Sequence, residues 1–297
     1  MTGTSAPQAT LWSEAELELG EGPRWVDGRL VLVDILAGTL LDADGGKPSD
    51  LRPLIRIPAP LGAVAPVASA AGHWIAAAGA GIALLTPSGE VNWLAEPAAE
   101  GPVPRRMNDG SCDPAGRFWA GCMAWQATAG HGALFRVDRD GSVSQVLDGL
   151  TVPNGPAFSH DGSQMYLADS ARGVVHRYPV DVASGDLGPA EPFVRLDHGS
   201  PDGMAVDVDG YVWIAVWGGG EVRRYAPDGV LDVTVTVPAP QPTAPCLGGP
   251  DGRRLFVTTA RYGLEPDAVG LSGSVFAVDV GTPGPPASAF GGSGPVR

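Results

Sequence analysis

Cysteine, basic charge and long apolar runs are all scarce in this chain. Three cysteines, Cys112, Cys122 and Cys246, stand among 297 residues. An odd number without a Cys-x-x-Cys excludes a fully paired disulfide framework and any zinc-knuckle or redox motif. They read as small buried hydrophobes. No run approaches the roughly 18 apolar residues of a membrane span. Residues Met1 to Pro7 have neither a basic start nor an apolar stretch, so no signal peptide is expected and a cytoplasmic location is the default. Lys and Arg total 19 against 33 Asp and Glu, a formal charge of −14. That balance excludes a phosphate-backbone-binding face, hence nucleic acid as a partner, and favours a monomer or small homo-oligomer.

Several catalytic signatures are missing too. There is no Gly-x-Ser-x-Gly elbow and no Gly-x-x-x-x-Gly-Lys phosphate loop. Gly79-Ala80-Gly81 lacks the third glycine of a dinucleotide fingerprint. Asp207-Val208-Asp209-Gly210 resembles part of a calcium loop, but Ala205 fills the first ligand position, so it reads as a hairpin turn. The five histidines show no metal-ligand spacing; His131 and His198 read as surface residues near a pocket.

Glycine and proline, by contrast, are abundant, at 43 and 29 residues. Turn glycines Gly28, Gly72, Gly116, Gly162, Gly210 and Gly252 recur 42 to 48 residues apart, each opening a strand-like run such as Leu30 to Val33 or Phe118 to Ala120. A period in the forties with short strands and tight turns is the mark of a β-propeller, one blade per repeat. The chain is therefore expected to be all-β, one six-bladed propeller over residues 1–297. Residues 1–19 should close the last blade as an outer strand, and 283–297 read as a flexible tail.

A second glycine opens a third strand in each repeat, and the gap between the two widens in repeats three and six. The resulting insertions, Met123 to His131 and Ala260 to Ser272, should overhang one face. Trp125, Gln126, Arg261 and Tyr262 are the candidate substrate-binding residues of such a lid.

Seven or eight residues before the turn glycines stand Glu21, Val64, Asn108, Asn154, Asp202 and Ala244. One Asn-Gly or Asp-Gly is a turn former. Four oxygen-bearing side chains at one phase of a pseudo-sixfold fold should instead converge on its axis. Two carboxylates crowded with amide oxygens repel unless they share a cation. Hard oxygen ligands without Cys or His suit Ca²⁺, Mg²⁺ or Mn²⁺, with Zn²⁺ possible. The expectation is a central metal site holding one divalent cation near a channel mouth, with positions left for water and substrate.

These segments resemble the senescence marker protein (regucalcin)/gluconolactonase family of six-bladed propellers, which also takes in luciferin-regenerating enzymes. The carriers are Gly20-Glu21-Gly22-Pro23-Arg24-Trp25, Arg106-Met107-Asn108-Asp109-Gly110, Pro153-Asn154-Gly155 and Ser200-Pro201-Asp202-Gly203. The resemblance implies hydrolysis of sugar lactones such as glucono-1,5-lactone with a divalent cation, Ca²⁺ first. It implies Glu21, Asn154 and Asp202 as metal ligands, Asp202 as catalytic base, and Asn108 and Arg106 as substrate contacts. One departure stands out: Trp125-Gln126 occupies the place of paired glutamates in the animal members, so the pocket should grip different hydroxyls. The same site also suits another activated ester or a phosphotriester, or a biosynthetic tailoring step. A non-catalytic calcium-binding propeller is the reading from a different class.

Overall fold

A computed structural model describes residues 7–43 and 50–291. Every repeat becomes a four-stranded antiparallel sheet, and six sheets surround one axis. The innermost strands are Gly20–Val26, Leu61–Pro66, Arg105–Cys112, Pro153–Phe158, Ser200–Val206 and Pro242–Gly248. Second strands follow after tight turns at the periodic glycines, as the hairpin chemistry requires.

Residues inside the blades are apolar because each sheet is covered on both faces by its neighbours. Phe118, Trp119, Phe256 and Phe276 lie fully buried in these layers. Buried aspartates at two hairpins replace water for the turning backbone. Asp113 accepts bonds from Arg117 N, Arg117 Nε and Trp119 Nε1 at 2.7–3.0 Å. Asp207 does the same for Asp209 N, Tyr211 N and Trp213 Nε1, so the partial calcium-loop motif is a hairpin.

The outer strand of the sixth blade comes from the other end of the chain: Thr10–Ser13 pairs with Val275–Asp279. Just before it, Ala9 N donates to Thr236 O and Thr236 N to Pro7 O, seating this segment on the fifth blade as well. A sheet edge that would otherwise lie open is thereby covered.

The far end of the chain departs from expectation. Residues 283–291, read from sequence as part of a flexible tail, form a strap across one mouth of the channel; 292–297 lie outside the described residues. Val208 N donates to Pro283 O and Gly284 N to Gly252 O on blades five and six. The strap then crosses to blades two and three, where Phe290 N donates to Pro66 O and Gly291 N to Gly116 O. Phe290 is buried among Ala65, Cys112 and Phe118 and their neighbours. Tail residues become ordered because an aromatic anchor and paired backbone groups offset the entropy of holding a Gly/Pro-rich segment.

Phe290→Ala should remove that anchor and cost about 3 kcal/mol. Urea denaturation followed by tryptophan fluorescence should show a lowered midpoint; an unchanged midpoint would mean that the strap contributes nothing to stability.

Candidate active site

The ring at the axis is made by irregularity, not by regular strand. Each innermost strand breaks register with its neighbour at the same level, between Glu21 and Arg24, Leu61 and Ala63, Met107 and Gly110, Asn154 and Ala157, Pro201 and Met204, and Pro242 and Pro245. An extra residue in one strand of a pair bends it and re-aims side chains. Glycines in left-handed conformation follow Glu21 and Asn154, with φ of 52° at Gly22 and 77° at Gly155. The phase read from sequence is thus two adjacent positions. Glu21 and Asn154 are the last paired residues before the bulge, whereas Asn108 and Asp202 lie one step inside it.

Aspartates at the ends of two second strands fix how the ring strands begin. Asp34 accepts the Glu18 and Leu19 amides ahead of Glu21, and Asp169 accepts the Thr151 and Val152 amides ahead of Asn154, all at 3.0–3.2 Å. Blade two supplies no polar side chain. A Cβ on Gly62 would overlap the Asn108 backbone carbonyl, so this blade presses its bare backbone against the ring.

Glu21, Asn108, Asp109, Asn154 and Asp202 are all 3–6% exposed, and Arg106 is buried beside them. The polar contacts run in one line. Arg106 donates through Nη1 to Asn108 Oδ1 at 2.7 Å, and Asn108 Nδ2 donates to Asn154 Oδ1 at 2.7 Å and Pro153 O at 2.9 Å. Asn154 Nδ2 then donates to Ser170 Oγ at 2.8 Å. Glu21 Oε2 accepts from Gly22 N at 2.8 Å. Among the described residues, neither Glu21 nor Asp202 has an ion-pair partner.

Electrostatics follow from that burial. The Glu21 carboxyl is pushed well above its ordinary range by burial first and then by Asp202 and Asp109. Asp202 is raised by burial and by Asp109, with Arg106 opposing. Asp109 is pushed up to about 6 by burial, against Arg24 and the Gly110 and Gly155 amides. Burial lowers the Arg106 pKa, with Tyr262, Glu21 and Asp202 acting in the opposite direction.

The insertion loops overhang this ring unequally. The Trp125 ring lies 5.6 Å from the Arg106 guanidinium, and Tyr262 is close enough to influence it electrostatically. Gln126 is exposed. Arg261 is turned outward, 3.5 Å from the Glu16 carboxylate. Trp125 and Tyr262 are themselves 44% and 50% exposed, a rim over a buried floor. His198 is held by Arg223, Asp197 and Glu221 in a separate cluster.

Asp109, Ser170 and Arg24 are the polar residues that phase counting passed over. Asp109 accepts Gly110 N at 2.7 Å and Gly155 N at 2.9 Å, tying blade three to blade four. Its adjacency to Asn108 in the five-residue motif from Arg106 to Gly110 was the available signal. Arg24 donates to Val64 O at 2.7 Å and also to Gly110 O. Below them a cavity of about 380 Å³ runs to the strap, lined by Trp25, Cys112, Met204, Cys246 and Pro285 among others. It lies on the other side of the ring from Trp125 and Tyr262. Among the ring's oxygen-bearing side chains it reaches Asp109 alone.

The donor set fits a hard divalent cation on chemical grounds. Two carboxyls are raised by burial and by neighbouring carboxylates with no ion pair to relieve them, and an amide side chain belongs to the same ring. Glu21, Asn154 and Asp202 are the residues that would hold it. Among the described residues no group of three His, Cys, Asp or Glu is placed to hold a metal ion; an asparagine ligand falls outside such a set.

With this geometry in hand, similarity to known proteins is informative. The SMP-30/gluconolactonase/LRE-like region matches residues 19–261. The chain belongs to this family. It is 37% identical over 279 residues to 6-deoxy-6-sulfogluconolactonase from Pseudomonas putida, covering 90% of this chain and 92% of that one. It is 36% identical over 301 residues to L-arabinolactonase from Azospirillum brasilense, covering 97% of each. A crystal structure described as a calcium-binding protein, regucalcin, from Agrobacterium tumefaciens superposes with a TM-score of 0.88 at 29% identity, over 96% of this chain and 97% of that one. No helix among the described residues is long and apolar enough to cross a membrane.

Raised carboxyl pKa values make a pH prediction. Folded protein keeps protons that the unfolded chain releases, so this contribution to stability is full below the ordinary carboxylate range. It is lost as pH rises toward and past about 6, the Asp109 value. In chelator, Glu21→Gln keeps the Gly22 bond and removes the titration. Its urea midpoint should nearly match wild type at about pH 4 and exceed it at about pH 8.5. Parallel pH profiles would contradict the assignment.

Proposed function

We propose that this protein is a divalent-cation-dependent lactonase that opens sugar lactones. The observation that carries the proposal is the axial pair Glu21 and Asp202, buried without an ion-pair partner beside amide oxygens. Named lactonases among the similar proteins support the substrate class, and the regucalcin-like structure supports calcium as the first cation to test.

A cation held by Glu21, Asn154 and Asp202 would supply Lewis-acid polarisation of the lactone carbonyl. The residues do the rest. Arg106 spends Nη1 on Met107 O and Asn108 Oδ1; its remaining N–H groups are directed to a substrate oxygen, where a charge-assisted bond orients the ring. Asn108 uses its side chain to hold Arg106 and Asn154, so it positions more than it contacts. The Trp125 face packs on the less polar side of the lactone. Asp202 takes the proton of the attacking water. Opening the ring breaks the acyl C–O bond, and that proton returns to the alcohol oxygen that leaves.

The test is proton release from a panel of sugar lactones, with chelator-stripped protein and Ca²⁺, Mg²⁺, Mn²⁺ or Zn²⁺ added back. Turnover should require a cation, and Asp202→Asn should lower kcat by at least about 100-fold. Arg106→Ala should lower kcat/KM by about 10- to 100-fold, the worth of a charged hydrogen bond. Cation binding without turnover of any lactone would favour a non-catalytic propeller. Turnover of phosphotriesters alone would replace the electrophile.

A further inference from the structure

One hydrogen-bonded line crosses three blades, and its direction is fixed by its two ends. Arg106 has only donors to give, so the Asn108 oxygen must face it. The Asn108 amide group then faces Asn154, and the Asn154 oxygen accepts it. This leaves the Asn154 amide group pointing away from the axis, onto Ser170 Oγ. Ser170 completes the line by donating to Pro201 O at 2.5 Å. That carbonyl is an obligate acceptor, and it belongs to the peptide bond that leads into Asp202. Were either asparagine flipped, two like groups would meet inside a buried ring.

Ser170 is held in place to do this. It opens a single helical turn, Ser170–Arg172, ended by Gly173 with φ of 67°. Its own amide donates to Val152 O at 2.9 Å. The preceding Asp169 grips the two amides that lead into the Asn154 strand. The hydroxyl therefore joins blade four to blade five at the level of the ring, touching neither Glu21 nor Arg106.

We propose that Ser170 is a positioning residue that fixes the Asn154 amide with its oxygen toward the axis and holds the peptide plane entering Asp202. This rests on the reading that Asn154 and Asp202 serve one cation, and it names a residue outside that ligand set. Removing the hydroxyl leaves the Asn154 amide without its acceptor and Pro201 O without its donor. The amide is then free to turn, and the two proposed ligands lose their common brace. Threonine at this position restores the same oxygen.

The experiment compares wild type, Ser170→Ala and Ser170→Thr, each first shown to melt like a folded propeller. Side-chain amide signals of 15N-asparagine-labelled, chelator-stripped protein are assigned with Asn108→Ala and Asn154→Ala. In Ser170→Ala the Asn154 NH₂ signals should move upfield and the Asn108 pair should follow, because the line is polarised; Ser170→Thr should return both. Unmoved Asn154 signals in Ser170→Ala overturn the proposal. Calorimetric titration with Ca²⁺ is the second readout. Ser170→Ala should bind about 10-fold more weakly, the usual cost of losing a partner behind a ligand, with Ser170→Thr near wild type. Equal affinity in all three overturns the positioning role. If wild type binds no Ca²⁺, Mg²⁺, Mn²⁺ or Zn²⁺ while the amide shifts behave as stated, the cation reading falls and the orientation of Asn154 by Ser170 stands.

Discussion

Carboxylates taken out of water at the axis set the terms for the rest of the molecule. A buried carboxylate is costly unless charge or hydrogen bonds replace its hydration. Glu21 and Asp202 receive backbone amides from Gly22 and Gly203 but no ion pair. Asp109 has two amides and the nearby Arg24. Such a ring persists only if the surrounding blades hold it rigidly, because a loose ring would admit water and let the like charges separate. The register breaks at one level of all six innermost strands serve that end. In blades one, three, four and five they leave the amides of Gly22, Gly110, Gly155 and Gly203 to the carboxylates.

The two mouths of the channel are consequently unlike. At one, the blade-three insertion sets the half-exposed Trp125 ring against Arg106, and the blade-six insertion carries the exposed Tyr262. At the other, the strap from 283 to 291 ties blades five and six to blades two and three and roofs a cavity with an apolar wall. The strap acts as a brace perpendicular to the blades. Together with Thr10–Ser13 in the sixth blade, it uses both ends of the chain to close a structure whose parts touch mainly their neighbours.

Blade number, strand order and the four polar ring residues were legible in the sequence because they repeat. Periodic glycines mark turns, and Glu21, Asn108, Asn154 and Asp202 stand out against Val64 and Ala244 at the same phase. What repetition does not encode was missed. A bulge shifts the count by one, so a single phase merged two structural positions. Asp109 lies off the counted phase, and its partner, Gly155 N, lies 46 residues away. Ser170 contacts Pro201 across 31 residues, and no local pattern announces it. The strap has the composition of a loose linker, and its order is explained by the pocket that receives Phe290 and by backbone bonds to distant blades. The insertions were placed correctly as loops, yet their length did not tell Trp125, beside Arg106, from Arg261, which is turned to Glu16.

The proposed division of labour follows from what holds each part. Ring residues are fixed by backbone amides, by neighbouring blades and by a hydrogen-bonded line that runs from Arg106 to Pro201. A change there disturbs several blades together. Trp125 and Tyr262 are exposed side chains on insertions, with few obligations to the core. Rim substitutions are therefore cheap in stability, and they alter the shape and polarity of the entrance without moving the carboxylates. An indole where acidic side chains are expected is a change of that kind. It removes charge next to Arg106 and leaves the guanidinium facing an aromatic surface. Under the proposed function, discrimination among lactone rings would be a matter of the rim, and carbonyl activation a matter of the ring beneath it.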